Sequence, residues 1–394
     1  MLLTKALTGL TALAGLVAAH PGHSVAQEAA ELRAYMQSVK RTSLAHCADK
    51  LKARGHAARN VARRQAAVNK ARTKRGLKKR NIDEVLATDH NKTTLAYTPE
   101  TDPKTLFSGY NSCLLAPEVT QGPYYVAGEY IRHNVVEDQP GVPLLLDYQV
   151  VDVDTCEPVP SVYLEIWHCN STGVYAGVAA NGNGNTADDT NIDQTWLRGI
   201  QLTNGDGVAQ FESVFPGHYT GRTPHIHVMV HATAGGKNGT VQANNTLGLD
   251  NYSSHVGQSF FDQTLISAVE LTEPYASNTQ PLTTNAEDGI MSQSAEGDGV
   301  DPVMEYTLLG NSIEDGLFAW FSFGVNTTRV DSISPAVWLE EGGGVANPDA
   351  GGGGGPGGPG GFPSGGFPSG FPSGGPTSSA AATSTAAAKC RRGE

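Results

Sequence analysis

The stretch that decides the fold and chemistry of this chain is Tyr219-Thr-Gly-Arg222-Thr-Pro-His225-Ile-His227. Side chains alternate between the two faces of a β-strand, so His225 and His227 point the same way and Ile226 points the opposite way. The pattern therefore predicts a strand with one apolar face and one face that carries two imidazoles. Tyr219, just before this strand, offers a phenol to the same region.

A second tyrosine lies upstream in Trp167-His-Cys-Asn-Ser-Thr-Gly-Val-Tyr175. Two phenols and two imidazoles form a hard set of oxygen and nitrogen donors, and such sets suit iron. A free phenol loses its proton only near pH ~10, so a phenolate ligand at neutral pH needs a strongly charged cation beside it. Taken singly, each tyrosine is more typical of core packing. Together, the pattern predicts a ferric site with the ligands Tyr175, Tyr219, His225 and His227.

Four short motifs occur in a fixed order: Glu165-Ile-Trp167, Gly173-Val-Tyr175, Tyr219, and Arg222-Thr-Pro-His225-Ile-His227. This order resembles the intradiol ring-cleavage dioxygenases, the family of catechol and protocatechuate dioxygenases, over roughly residues 105–330. One difference is Thr223, which separates the arginine from the proline where many members have the two side by side. The spacing from the arginine to the first histidine still fits the family pattern.

The resemblance implies a role for each matched residue. Members of the family hold Fe(III) with two tyrosinates, two histidines and a hydroxide. Tyr175 matches the tyrosine that stays bound, and Tyr219 matches the one that a chelating catechol displaces. Arg222 matches the arginine that stabilises negative charge on the bound ring. The implied reaction uses O2 to open the ring between the two hydroxylated carbons and gives cis,cis-muconate-type products.

The resemblance also indicates a substrate pocket. Gln258, in Gln258-Ser-Phe-Phe, matches a segment that follows the histidines in the family. Tyr124 and Tyr125, in Gln121-Gly-Pro-Tyr-Tyr, match an early segment that contributes to the pocket. We expect these three side chains to line the substrate site, although two aromatic residues after a Gly-Pro pair are also typical of a plain turn.

Short apolar runs with turn residues between them predict an all-β fold. The runs begin at Leu144, Val162 and His225, and Pro and Gly clusters such as Asn204-Gly-Asp-Gly separate them. This spacing predicts a β-sandwich catalytic domain over residues 105–340, with Phe318–Val325 as the last core strand. The Gly-, Pro- and Ser-rich residues 341–394 predict a disordered tail.

The N-terminus predicts export from the cell. Residues 1–19 combine Lys5, a short apolar stretch and Val-Ala-Ala, which is typical of a signal peptide and too short to span a bilayer. We therefore expect a secreted protein without a membrane segment. A secreted protein can carry disulfides, but the pairing of its five cysteines stays open. Asn-x-Ser/Thr sites fit a glycoprotein, and they occur at Asn91, Asn170, Asn238, Asn244, Asn251 and Asn326.

Charge divides the chain sharply. Residues 1–80 hold 17 Lys and Arg against 3 Asp and Glu, whereas the remainder is acidic and brings the net charge to −12. We interpret residues 20–80 as a basic helical leader or propeptide and residues 81–104 as a linker. A protease can remove the leader near Arg80, or the leader can persist as a solvated helix that pairs two copies as a homodimer. The acidic body argues against nucleic-acid binding.

Three other functions compete with ring cleavage. A cupin-like metal enzyme uses His-x-His with a glutamate a few residues later, but His231-Ala232 occupies that place here. A copper oxidase of polysaccharides can use an N-terminal histidine, which His20 would become, yet that residue leads into a basic helix. A non-catalytic sandwich binding protein would have no need for all four predicted ligands and Arg222.

Overall fold

The computed structural model describes residues 30, 33, 44–77, 112–114, 123–179, 183, 188–231, 239–249, 252–295 and 301–348. The predicted signal peptide, the linker at 81–104 and most of the tail lie outside these residues. The described part of the chain is mostly β-structure with a few helices, as the sequence predicts.

Strands dominate the described residues. They are β1 Ser112–Leu114, β2 Val126–Ala127, β3 Pro143–Asp152, β4 Tyr163–Trp167, β5 Arg198–Leu202, β6 Val208–Val214, β7 His225–His231, β8 Tyr252–Phe260, β9 Glu305–Leu308, β10 Leu317–Val325, β11 Asp331–Ser332, β12 Val337–Glu340 and β13 Gly343–Ala346. The α-helices with described bounds are α1 Ala48–Ala53, α2 His56–Lys74, α3 Gln263–Val269 and α4 Gly289–Ser294.

Two five-stranded sheets form the body of the sandwich. The first has the order β1-β10-β3-β6, with β9 also paired to β10, and the second has the order β11-β8-β7-β4-β5. A smaller sheet pairs β2 with the β12–β13 hairpin. The strand predicted at 318–325 is buried as expected, but β10 lies inside its sheet between β1 and β3 and three short strands follow it. The described structure thus continues to residue 348, past the boundary predicted at 340.

The core lies between the facing sides of the two large sheets. On β3, Leu146 and Tyr148 point inwards, and on β7 the inward residues are Ile226 and Val228. Ile166 of β4 joins the same cluster. Full burial of each such aliphatic side chain contributes roughly 1.5–3 kcal/mol. Because this face of β7 is committed to the core, the alternate residues of β7 are turned to the other side of the sheet.

Helix α2 covers the outer face of the first sheet. Its buried residues recur every four positions, as one face of a helix requires: His56, Asn60, Arg64 and Val68. Asn60 Nδ2 donates to Gln149 Oε1 at 2.7 Å, and Arg64 Nε donates to Asp147 Oδ1 at 3.0 Å. This part of the leader is therefore packed against the sandwich on one side, and only its other faces meet solvent.

A disulfide joins the leader to the sandwich. Cys47, just before α1, bonds to Cys156, with their Cα atoms 5.3 Å apart, which is a usual separation for a disulfide. Leu44 and Leu51 pack with Val151 and Val153 around the bond. His46 also lies beside the two sulfurs, but cysteines that are bonded to each other do not bind a metal ion. Within the described residues, no helix has the length and apolar character needed to cross a membrane.

Candidate metal centre

A row of four side chains runs across four neighbouring strands of the second sheet. Arg198 of β5 lies opposite Trp167 of β4, which lies opposite His227 of β7, which in turn lies opposite Gln258 of β8. Residues in one cross-strand row share a face of the sheet. This face is turned away from the sandwich core, and a second apolar cluster that includes Trp167, Tyr175 and Tyr219 covers it.

The four predicted ligands come together on this face. The Nε2 atom of His225 lies 3.3 Å from His227 Nε2, 3.2 Å from the Tyr175 hydroxyl and 3.3 Å from the Tyr219 hydroxyl. All four side chains are buried, with relative exposures of 0–2%. The alternation of β7 thus points both histidines to one site, while the loops before β5 and β7 bring the tyrosines over it.

This arrangement fits a small, highly charged metal ion. Bonds of about 2 Å to neighbouring ligands place the ligand atoms about 3–3.4 Å apart, which matches the spacing around His225 Nε2. The donor set is hard and anionic once the phenols lose their protons, so it suits Fe(III) better than a soft ion. Burial raises the pKa of Tyr175 and of Tyr219 well above that of a free phenol. A cation at this point would supply the opposing charge that a phenolate pair requires.

The sheet and the loop before it set the orientation of both imidazoles. Trp167 stacks on His227 with ring centroids 4.8 Å apart and planes inclined by 9°. His225 Nδ1 donates to the carbonyl of Thr223 at 2.6 Å, so its Nε2 is the nitrogen left to face the tyrosines. A bond of this kind on the far nitrogen of a ligating histidine fixes both the tautomer and the ring plane.

Two asparagines hold the backbone at Tyr175. Asn183 accepts a hydrogen bond from Tyr175 N at 2.7 Å and donates to Tyr175 O at 2.8 Å. Asn191 Nδ2 donates to the same carbonyl at 2.8 Å. Gly173 of the Gly-Val-Tyr motif has a φ of 82°, and an added Cβ would overlap the carbonyl of His218. These contacts fix the course of the chain into the ligand tyrosine.

Arg222 lies beside the ligands and is fully buried. Its Nε donates to Asp288 Oδ2 at 2.9 Å, and its Nη2 donates to Gln258 Oε1. A guanidinium has no acceptor, so the atom of Gln258 that faces it must be the amide oxygen. The structure therefore brings Arg222 and Gln258 into direct contact next to the predicted metal ligands.

The two pocket tyrosines have different surroundings. Tyr124 stacks on Tyr175 with centroids 4.6 Å apart and meets Tyr219 edge-on at 6.2 Å. Tyr125 instead packs on Trp167 and donates its hydroxyl to Glu165 Oε2 at 3.3 Å. Tyr124 thus lies against the ligand rings, and Tyr125 supports the sheet beside them. Contact of either residue with a substrate stays a prediction.

Three other histidines near the motifs have partners of their own. His168 contacts Ser213 Oγ, His218 pairs with Glu270, and His231 pairs with Glu165. These contacts give all three imidazoles partners other than the four predicted ligands. The buried thiol of Cys169 donates to Gly217 O, and burial raises its pKa to about 12, so it stays protonated.

Sequence reasoning missed Asn183, Asn191 and Asp288. Asn183 and Asn191 follow Tyr175 by 8 and 16 residues, and Asp288 follows Arg222 by 66 residues. Asn and Asp in such segments are ordinary turn or capping residues, so their sequence pattern does not indicate these contacts. Asp288 precedes Gly-Ile-Met at the start of α4, which indicates an N-cap, but nothing in that pattern points to Arg222. A groove of about 620 Å³ between residues 239–249 and β12 contains none of the predicted ligands in its lining.

Comparison with known proteins agrees with this geometry. The model of the family described as Dioxygenase matches residues 120–241. Catechol 1,2-dioxygenase of Acinetobacter baylyi is 27% identical over 185 residues, which are 41% of this chain and 55% of that protein. The chain therefore spans about half the length of this curated relative.

Two solved structures match over almost their full length. An intradiol ring-cleavage dioxygenase from Tetranychus urticae is 29% identical, with coverage of 56% of this chain and 98% of the other and a TM-score of 0.43. A second dioxygenase crystal structure is 30% identical with the same coverage and a TM-score of 0.44. The family model and these sequence identities agree with the ordered motifs, and the chain belongs to the intradiol ring-cleavage dioxygenases.

Proposed function

We propose that this protein is a secreted, non-haem Fe(III)-dependent dioxygenase that opens catechol-type diols between their two hydroxylated carbons. The observation that carries the proposal is the convergence of four buried ligand atoms, two phenolic and two imidazole, around His225 Nε2. A sandwich that only bound aromatic compounds would not need two tyrosines and two histidines with their polar atoms turned to one point.

Bound Fe(III) would supply the Lewis acidity and the electron-accepting chemistry that couple a chelated diol to O2. The residues of this chain would then bind and orient the diol and move its protons. Tyr219 is the ligand suited to leave, because it lies on the loop before β7, whereas Asn183 and Asn191 clamp the backbone of Tyr175. Once displaced, the Tyr219 phenolate oxygen can accept a proton from the incoming diol and become a neutral hydroxyl.

Arg222 and Gln258 are suited to the charge that develops on the ring. A guanidinium that is already desolvated and fixed stabilises negative charge with little reorganisation. Gln258 Nε2 is buried and has no hydrogen-bond partner among the described residues, while its oxygen faces Arg222. We infer that this amide N–H serves the bound substrate. Tyr124, which packs against both ligand tyrosines, would form an aromatic wall.

Three features support secretion of the protein. The Cys47–Cys156 disulfide suits an oxidising compartment, residues 1–19 are typical of a signal peptide, and one of the Asn-x-Thr sites, Asn244, is exposed. We infer that the substrates are catechols that arise outside the cell, with aromatic catabolism as the role. Homodimer formation through the N-terminal helix remains part of this proposal.

The test is the visible spectrum of the purified, iron-analysed protein before and after anaerobic addition of catechol. We expect a red-burgundy tyrosinate-to-Fe(III) band that moves to longer wavelength when the diol binds. Admission of O2 should then yield a cis,cis-muconate. A colourless protein that contains no iron, or that contains copper or zinc instead, would contradict the proposal and favour a binding protein.

A further inference from the structure

One segment between α3 and α4 forms several hydrogen bonds with the loop that carries Arg222. Gly221 N donates to Thr283 Oγ1 at 3.0 Å, and Thr223 Oγ1 donates to Asn285 Oδ1 at 2.6 Å. At the end of the segment, Asp288 contacts both Arg222 and the backbone of Thr223. We call Thr283–Asp288 the clasp. It joins the short helix α4 to the loop that leads into β7.

Asp288 is the centre of the clasp. Its side chain is fully buried, and Oδ2 accepts from Arg222 Nε at 2.9 Å and from Thr223 N at 2.9 Å. Its other oxygen, Oδ1, accepts from the first turn of α4, at Ile290 N and Met291 N. Four hydrogen bonds hold this carboxylate, so it has little freedom to move. A buried charge pair is by itself weak evidence for net stability, whereas a buried polar network whose hydrogen bonds are all made favours one geometry.

Thr223 connects the clasp to a metal ligand. Its N–H donates to Asp288, and its carbonyl accepts from His225 Nδ1. In the family pattern that the sequence resembles, proline often stands directly after the arginine, at the position of Thr223 here. Proline has no N–H to donate. The departure at Thr223 therefore provides a hydrogen bond that a proline at this position could not make. One residue thus transmits the position of Asp288 to the imidazole.

We propose that Asp288 is a positioning residue that holds Arg222 against the substrate site and, through Thr223, holds the plane of His225. This inference rests on the proposed function, because it assigns Arg222 a place next to the reacting diol. Loss of the carboxylate would free the guanidinium to move, and a shift of about 1 Å at a reacting centre lowers the rate by about 100-fold.

The first test is Asp288→Asn in the iron-loaded enzyme. We expect kcat with catechol to fall about 100-fold, with little change in KM and with the iron content of the wild type. The matched control is Asp262→Asn, because Asp262 caps α3 in the same way; its kcat should stay within about 3-fold. Wild-type kcat in Asp288→Asn would overturn the proposal.

A double-mutant cycle with Arg222→Gln tests whether Asp288 acts through the arginine. Residues that act as one unit are strongly non-additive. In the Arg222→Gln background, we therefore expect Asp288→Asn to change kcat by less than about 3-fold. Two losses that simply multiply would show that Asp288 acts independently of Arg222, and the proposal would fail.

The link through Thr223 can be tested without turnover. Thr223→Pro removes the N–H, whereas Thr223→Ala keeps it and removes only the hydroxyl. We expect iron to pass to a chelator about 10–100-fold faster from the proline variant than from the alanine variant; equal rates would overturn the link. This pair of variants also tests the link from Asp288 through Thr223 to His225 if Asp288→Asn fails to fold. A wild type that binds iron but opens no diol would contradict the proposed function and leave this measurement valid.

Discussion

Trp167 and His227 lie face to face on neighbouring strands, with ring centroids 4.8 Å apart and planes inclined by 9°. They are directly opposite each other in the pairing of β4 with β7, and both are completely buried. The indole therefore acts as a flat support that leaves the imidazole one orientation. The tryptophan of the Glu-Ile-Trp motif thus has a direct structural connection to the His-Ile-His motif.

We predict that Trp167→Leu loses iron faster than the wild type, because the His227 ring gains rotational freedom. Loss of metal affinity should be about 10–100-fold, as for other residues that orient a ligand. Chelator competition followed at the visible band measures it. Trp167→Phe keeps an aromatic surface, so its rate of iron loss should lie between those of the wild type and Trp167→Leu. Equal iron retention in all three would show that the stack does not orient the histidine.

Asn183→Ala should weaken the site from the other side. The change removes the acceptor for Tyr175 N and one of the donors to Tyr175 O, both in a buried position. The loop that carries this ligand should therefore shift. We expect a displaced tyrosinate-to-iron band and weaker iron binding. Asn204→Ala is the control, because Asn204 caps a turn in a similar manner at Asp206 and Val208. A band shift of the same size in the control would indicate a general effect on folding.

The two ligand tyrosines should respond differently to removal of their hydroxyls. Tyr175→Phe removes the ligand that is held by the asparagine clamp, and we expect it to lose most of its iron. Tyr219→Phe should keep iron with an altered band but open diols far more slowly, because it lacks the proton acceptor. Iron analysis and single-turnover assays measure these properties. Similar behaviour of the two variants would contradict the assigned roles.

Asp147 makes stability depend on pH. Burial alone would raise the pKa of Asp147, but the charge of Arg64 and hydrogen bonds from Arg63 lower it to about 2. A carboxyl whose folded pKa lies below its ordinary value of about 4 stabilises the fold above that pH and loses the effect as the pH falls towards 2. This contribution is roughly 2–3 kcal/mol at neutral pH.

Asp147→Asn should therefore lower the free energy of unfolding by about 3–5 kcal/mol at pH 7, since it leaves Arg64 buried without its counter-charge. The gap to the wild type should narrow below about pH 4. Urea unfolding over a pH series measures it. Asp206→Asn, which removes a largely exposed pair with Arg59, should cost less than about 1 kcal/mol. A difference in the free energy of unfolding that does not change with pH would show that the charge of Asp147 is not its cause.

The Cys47–Cys156 disulfide should stabilise the joined helices and sandwich. It closes a sequence separation of 109 residues, and removal of such a bond typically costs about 2–5 kcal/mol. We expect Cys47→Ser with Cys156→Ser to unfold at lower urea concentration and to lose all sensitivity to reductant. Cys169→Ala, which keeps the disulfide, should remain sensitive. A reductant effect in the double variant would assign the sensitivity to another cysteine.

The same bond predicts the outcome of proteolysis near Arg80. A cut at that point would leave the leader helices attached, because Cys47 and Cys156 lie on opposite sides of it. Limited trypsin digestion should thus give one band on a non-reducing gel and two on a reducing gel. Release of the leader without reductant would show that it is held only by non-covalent contacts, or that the disulfide does not form.

Local sequence patterns were sufficient to predict much of the candidate site. The alternation of a strand alone predicts that His225 and His227 share a face, and β7 confirms it, with Ile226 in the core. The ordered motifs name the family, and Gly173 marks a backbone turn that only glycine permits. The β-sandwich likewise follows from short apolar runs between turn residues, because burial with period two is encoded within each strand.

Only the tertiary structure decided which distant groups meet. No local pattern indicates that Cys47 pairs with Cys156. Likewise, no local pattern indicates that the basic helix α2 packs on Asp147 and Gln149 at the outer face of β3. Asp288 and Arg222 are likewise far apart in sequence and become neighbours only when the clasp packs against the loop before β7. Periodicity reports which face of an element is buried. The partner of that face depends on how whole elements pack, which no short stretch of sequence contains.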